Sequence, residues 1–135
     1  MNDWNKMIIE EFRANGGKVA QFGDAPLVIL HTIGAKSGQS REIPLVALVD
    51  DDGGMYVFAS KAGAPTNPDW YHNLKANPGI TVEYGSESFA ARLDELPEDE
   101  GQAKLQQQAT VNPQFGEYVE SAKPRVIPAF SITRL

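Results

Sequence analysis

Cysteine is absent from the 135 residues of this chain. That excludes disulfides, thiol nucleophiles and cysteine-ligated metals, and it fits a cytoplasmic setting. Histidine is scarce: His31 and His72 are the 2 present, too few for a multi-histidine metal centre. No apolar run approaches the roughly 20 residues of a transmembrane helix. The first residues lack the basic-then-apolar order of a signal peptide. An excess of base is missing as well. The 12 Lys and Arg are outnumbered by 18 Asp and Glu, for a net charge of −6, which argues against nucleic acid as a partner. Familiar catalytic signatures are also lacking: there is no Gly-x-Ser-x-Gly elbow and no paired metal-ligand spacing. The run Asp50-Asp51-Asp52 lacks the remainder of a calcium loop and reads as a solvated hairpin tip. A chain with so few nucleophiles and bases of its own points to chemistry supplied by a cofactor.

The length suits one domain, residues 1–135, with a single core. Asn2 to Ala14 reads as a helix, since Trp4, Ile8 and Phe12 recur at helical spacing. Asn2 or Asp3 can cap its start, and Gly16-Gly17 supplies a stop. Core packing is the plain reading of residues 1–17. The sharper one is a mobile helix lying over a ligand or touching a membrane surface. Pro26–Ile33, Ile43–Val49 and Met55–Ala59 read as strands, the last two joined as a hairpin through Asp50–Gly54. Asp69–Ala76 reads as a short helix between Pro68 and Asn77-Pro78. Ile80–Tyr84 and Ser88–Leu93 alternate as two further strands. Leu96–Val111 reads as a charged helix. Val126–Ile132 reads as a closing strand that Pro128 makes an edge or bulged one. About six antiparallel strands with two or three peripheral helices favour a mainly β, α+β small barrel, because closure disposes of exposed edges.

The most informative stretch is Leu27–Leu45. An apolar run stops at Gly34, a basic and hydroxyl-rich turn carries Lys36, Ser37, Gly38 and Arg41, and a second apolar run begins at Ile43. Gly34 and Gly38 let backbone approach a ligand, and Arg41 can grip two phosphate oxygens at once. The turn is neither a Walker A loop nor the dinucleotide Gly-x-Gly-x-x-Gly fingerprint. Taken alone, it reads as a solvated hairpin tip rather than a binding loop. Ala59-Ser60-Lys61-Ala62-Gly63 is a second small-residue turn with one lysine. In a compact barrel the two turns can face one site. Trp70 either stacks on a planar cofactor or packs its helix on the core. Phe115 and Tyr118, three apart, share a face if they lie on a helix, where they either wall an apolar pocket or pack.

These residues add up to a resemblance. Gly34–Leu45, GAKSGQSREIPL, resembles the Gly-Arg-Lys-Ser/Thr-Gly…Arg…Pro-Leu segment of the deazaflavin-dependent nitroreductase family. Ala59-Ser60-Lys61 followed by Pro68–Pro78 resembles that family's Ala-Ser-Lys…Pro-x-Trp-Tyr-x-Asn-Leu-x-Ala-Asn-Pro segment. Val126-Ile127-Pro128 resembles its closing strand. The three motifs keep their order and spacing from Leu27 onward.

The resemblance implies a split β-barrel and the 8-hydroxy-5-deazaflavin coenzyme F-420, whose reduced form donates hydride to a quinone, enone or nitroaromatic acceptor. It implies that Lys36, Ser37, Gly38 and Arg41 hold the coenzyme's phosphate and acidic tail. Pro44, Ala59, Ser60 and Lys61 would line the deazaflavin and its phosphate-bearing arm, with Trp70 beside them. Asn112, Phe115 and Tyr118 would form the substrate pocket, and Tyr118 would be the donor to the acceptor. The chain departs from the family at Ala35, where an arginine is usual, and at Asn112 and Phe115, where tyrosines often occur. FMN in the same barrel, a non-enzymatic coenzyme-binding protein and a plain interaction domain are the alternatives. The expected protein is cytoplasmic, a monomer or homodimer, with peripheral membrane contact left open.

Overall fold

The computed structural model describes residues 3–135. Among them, seven strands form one antiparallel sheet: β1 (Leu27–Ile33), β2 (Ser40–Val46), β3 (Leu48–Val49), β4 (Met55–Phe58), β5 (Gly79–Tyr84), β6 (Glu87–Glu95) and β7 (Ala129–Arg134). Their spatial order is β2-β1-β5-β6-β7-β4-β3. The edge strands β2 and β3 are separated in sequence by Ala47 alone, so the sheet must curl until its edges meet. The result is a split barrel, as expected.

Two strand expectations need correction. Ile43–Val49 is not one strand. The Ala47 amide donates to the Pro26 carbonyl at 2.9 Å, and the next two residues leave β1 to pair with β4 as Leu48↔Tyr56 and Val49↔Met55. The closing strand is not an edge either, since β7 pairs with β6 on one side and β4 on the other. Pro128 stands just before β7 and only accepts, from the Ala59 amide at 2.9 Å, so its missing N–H costs the ladder nothing.

The apolar run of β1 serves two cores. Val28 and Leu30 face the barrel interior with Val57, Val82, Leu93 and Phe130. Leu27 and Ile29 face outward onto Ile8, Ile9 and Phe12 of α1 (Asp3–Ala14). Helix α1 ends as its glycines require, with the Gly17 amide reaching the Phe12 carbonyl at 2.8 Å. The suggested Asn2 cap lies outside the described residues. At the last turn of α1, Arg13 pairs with Glu42 and, at 2.7 Å, with Glu83, which also contacts His31 at 2.6 Å. The helix therefore packs on the core and is pinned to β1, β2 and β5.

Helix α2 (Asp69–Ala76) matches its expected bounds and sends Trp70 and Leu74 into the barrel interior. Helix α3 (Glu98–Val111) starts two residues later than expected, because Leu96 still bonds the sheet, its amide donating to Ala129 at 2.9 Å. A fourth helix, α4 (Gln114–Ala122), exceeds the expected two or three. Helices α3 and α4 bury Leu105, Phe115 and Ala122 against Leu48, Phe58 and Ala129. Asp50 is no solvated tip: it bonds Lys104 and Gln107 of α3, both at 2.5 Å.

Candidate functional site

A cavity of about 280 Å³ lies between α1, β2, α2, α4 and the segment after β4. Its wall includes Pro44, Ser60, Lys61, Trp70, Asn112, Phe115 and Tyr118, so most of the expected ring and acceptor residues do meet. The aromatic lining is interlocked. Phe115 makes edge contacts with Phe58 at 5.9 Å and with Tyr118 at 5.4 Å between ring centroids. Trp70 sits 5.9 Å from Phe130 and is 7% exposed, so it packs the core and walls the cavity with one ring. Tyr118 has a hydroxyl with no hydrogen-bond partner among the described residues.

Lys36, Ser37 and Arg41 do not reach that cavity. They line a separate groove with Gly34, Ala35, Asp69, His72 and Asn73. The groove is built by a tight turn, in which the Gly34 amide bonds Gln39 at 2.9 Å and the Gly38 amide bonds Gly34 at 3.0 Å. Gly38 lies in that turn with φ of +69°, a conformation that suits glycine. Ser37 is partly engaged, its hydroxyl accepting from the Gln39 amide at 3.2 Å. The Ala35 amide donates to Asn73 at 3.0 Å, which fastens the turn to α2. Two cations, Lys36 and Arg41, thus share the groove with one carboxylate, Asp69, in a protein whose net charge is −6.

The cavity and the groove are carried by the same two elements. Strand β2 gives Arg41 to the groove and Pro44 to the cavity. At ~3.3 Å per strand residue, those positions are about 10 Å apart. Helix α2 gives His72 and Asn73 to the groove and Trp70 to the cavity. A ligand with a planar apolar ring and an anionic chain fits this pairing of surfaces.

The segment after β4 forms the remaining wall. Ala59 is fully buried behind it. Lys61 and Ala62 have φ of +48° and +53°, and Gly63 follows at +82°. Gly63 touches α4 so closely that a Cβ there would meet the Ser121 Cβ at 2.8 Å. Lys61 reaches the Thr66 hydroxyl at 3.2 Å. Arg125, from the link between α4 and β7, bonds the carbonyls of Ala59, Ser60 and Ala64 at 2.8–3.1 Å. Burial pulls the Arg125 guanidinium below its ordinary pKa.

Sequence reasoning missed Arg125 and His72, while Trp4 and Ile8 of α1, the helix that one reading laid over a ligand, line the cavity wall. Nothing in the sequence sets Arg125 apart from a surface arginine.

A family model described as F-420H(2)-dependent quinone reductase matches residues 4–133. An F-420H(2)-dependent quinone reductase of Mycobacterium tuberculosis is 36% identical over 128 residues, covering 91% of this chain and 85% of the relative. A solved structure described as an F-420-H2 dependent reductase, FDR-A, is 35% identical with a TM-score of 0.69, covering 79% of this chain and 93% of that one. Another, described as a domain-swapped dimer, is 32% identical with a TM-score of 0.71 and covers 96% of this chain and 97% of its own. A haem storage protein of Vibrio cholerae, at 14% identity and a TM-score of 0.61, shares the fold alone. No helix among the described residues is long and apolar enough to cross a membrane. The split barrel, the paired cavity and groove and these matches converge: the chain belongs to the F-420H(2)-dependent quinone reductase family.

Proposed function

We propose that this protein passes hydride from reduced coenzyme F-420 to a quinone held in the aromatic cavity, with enones and nitroaromatics as further acceptors. The observation that carries the reading is the sharing of β2 and α2 between an apolar cavity and a basic groove. Bound in its reduced form, the coenzyme supplies the hydride, and the protein supplies position, dryness and charge. Lys36, Arg41 and Ser37 bind the acidic tail, and Gly38 keeps that turn tight. Ser60 and Lys61 line the ring and its phosphate-bearing arm. Pro44, Trp70 and the wall backed by Ala59 bed the ring. Trp70, Phe58 and Phe115 exclude water from it. Asn112 and Phe115 flank the acceptor. The Tyr118 hydroxyl donates to the acceptor oxygen as negative charge builds there.

The protein works on small-molecule acceptors in the cytoplasm, as a monomer or homodimer. Trp4 and Met7, 52% and 66% exposed, give α1 an apolar outer edge that supports peripheral contact with a quinone-bearing membrane. The test is to mix the protein with reduced coenzyme and menadione and follow coenzyme oxidation by absorbance. Turnover is expected. No turnover across quinones, enones and nitro compounds, or tighter binding of FMN than of coenzyme F-420, would overturn the reading.

A further inference from the structure

The cavity wall at Ser60–Ala62 is held from behind by one side chain. Arg125 donates from Nη1 to the Ala59 carbonyl at 2.9 Å and to Asn67 Oδ1 at 2.8 Å. Its Nη2 donates to the Ser60 and Ala64 carbonyls, both at 2.8 Å, and its Nε to Ala64 at 3.1 Å. Every guanidinium N–H is thereby used. No acidic side chain is among these partners, although drawing a cation even half out of water without a counter-charge has a cost. Neutral donors would satisfy the same carbonyls without that cost, so the charge itself needs a reason.

Peptide geometry supplies one. In a trans peptide the carbonyl and the following N–H point in opposite directions. With the Ala59 and Ser60 carbonyls turned to Arg125, the Ser60 and Lys61 amides face the other way. That way lies the cavity, whose wall includes Ser60, Lys61 and Ala62 but not Arg125. Ser60 is right-handed helical (φ −74°, ψ −36°) and Lys61 follows with φ of +48°. That alternation makes successive amides converge into an anion-binding concavity. Non-glycine residues stay left-handed only where their surroundings hold them. Arg125 on one side and α4 against Gly63 on the other provide the hold.

We propose that Arg125 is a positioning residue for the coenzyme: by holding the Ala59 and Ser60 carbonyls, it aims the Ser60 and Lys61 amides at a negatively charged oxygen of the bound ligand. Its half-buried charge, set behind the carbonyl ends of those peptides, strengthens their attraction for the anion. The inference rests on the reductase reading above. The charged oxygen belongs either to the phosphodiester arm or to the deazaflavin ring.

The experiment titrates oxidised coenzyme F-420, and separately its phosphate-free riboside, by fluorescence quenching, with a thermal melt for each variant. Arg125→Lys is expected to bind coenzyme F-420 at least tenfold more weakly. Arg125→Ala is expected to do the same and to regain affinity in guanidinium chloride but not in sodium chloride of equal ionic strength. Loss confined to the full coenzyme assigns the oxygen to the phosphodiester, and loss on both ligands assigns it to the ring. Ser60→Pro, compatible with φ of −74°, deletes one aimed N–H while leaving Arg125 in place, and Ser60→Ala separates out the hydroxyl. Ser60→Pro is expected to weaken binding well beyond Ser60→Ala, and this comparison decides the matter if the Arg125 variants fail to fold. Wild-type affinity in folded Arg125 variants, or equal affinity of the two Ser60 variants, overturns the inference alone. A wild-type protein that binds neither ligand overturns the reductase reading as well.

Discussion

Gly63→Ala tests whether the cavity wall and α4 are one mechanical unit. Gly63 has φ of +82°, and a Cβ there would stand 2.8 Å from the Ser121 Cβ and 3.2 Å from the Tyr118 Cα. A left-handed alanine costs about 1 kcal/mol. Forcing a methyl into a closed contact adds about 1–3 kcal/mol. The sum, about 2–4 kcal/mol, lowers the melting temperature by about 8–16 °C at about 4 °C per kcal/mol for a chain of this size. Ser121 is exposed, so trimming it is feasible. Ser121→Gly alone costs about 0.5–1 kcal/mol in a helix but removes the nearest obstacle. The double variant should therefore be about 1–2 kcal/mol more stable than additivity predicts, with the φ strain still present. Because the second contact is the backbone of Tyr118, Gly63→Ala should also lower quinone turnover at temperatures where the protein is fully folded. Thermal and urea melts of both single variants and the double variant, with menadione turnover, are the assay. A Gly63→Ala protein as stable as wild type, or strict additivity in the double variant, would refute the packing argument.

Lys36→Ala and Arg41→Ala should each weaken coenzyme binding several-fold, and more at low ionic strength, where exposed charges are least screened; unchanged affinity in both removes the groove from the site. Ala35→Arg should strengthen binding of the tailed coenzyme without affecting the riboside, and equal gains on both ligands would contradict a tail contact at that position. Tyr118→Phe should lower kcat for quinones about 10²-fold or more with coenzyme affinity unchanged, as loss of an oxyanion donor does; a wild-type kcat would leave the reaction to the coenzyme alone. Glu83 is held below the usual carboxylate range chiefly by its hydrogen bonds from Arg13, with His31 adding to it. A depressed folded pKa means that its contribution is present above the ordinary range, near ~4.3, and is lost as pH falls through the folded value. Wild type should therefore lose more stability than Glu83→Gln below about pH 5. The difference is at most about 1 kcal/mol, because Arg13 is 46% exposed. Parallel melting curves against pH would contradict this.

What was legible in the sequence followed from local rules. Helix α2 announced itself through Pro68 and Asn77-Pro78, and the hairpin around Asp50–Gly54 through its turn residues. The break at Ala47 did not, because an apolar run crossing from one edge of a curling sheet to the other has no local marker. Pro128 misled for a related reason: it argued for an edge when it stands one residue outside a central strand. In the site, the motif residues were found but their division was not. One turn and one strand carry Lys36, Arg41 and Pro44, yet the first two line the groove and the third the cavity. Arg125 was invisible because its partners are backbone carbonyls 61–66 positions away and one side-chain amide 58 away, which no spacing rule connects.

The departure expected at Ala35 from the resemblance follows the same logic. What the turn needs from that position is its backbone, since the Ala35 amide is the donor that fastens the groove to α2 through Asn73. An arginine and an alanine make that bond equally well. The substitution therefore leaves the frame of the site standing and removes only a charge from its rim, where water already screens charges. Arg125 is the reverse case: its charge is half-buried, its hydrogen bonds set the path of the wall, and no neighbouring backbone can replace it. Of the two arginine positions, the one without a family motif is thus the one on which the shape of the cavity depends.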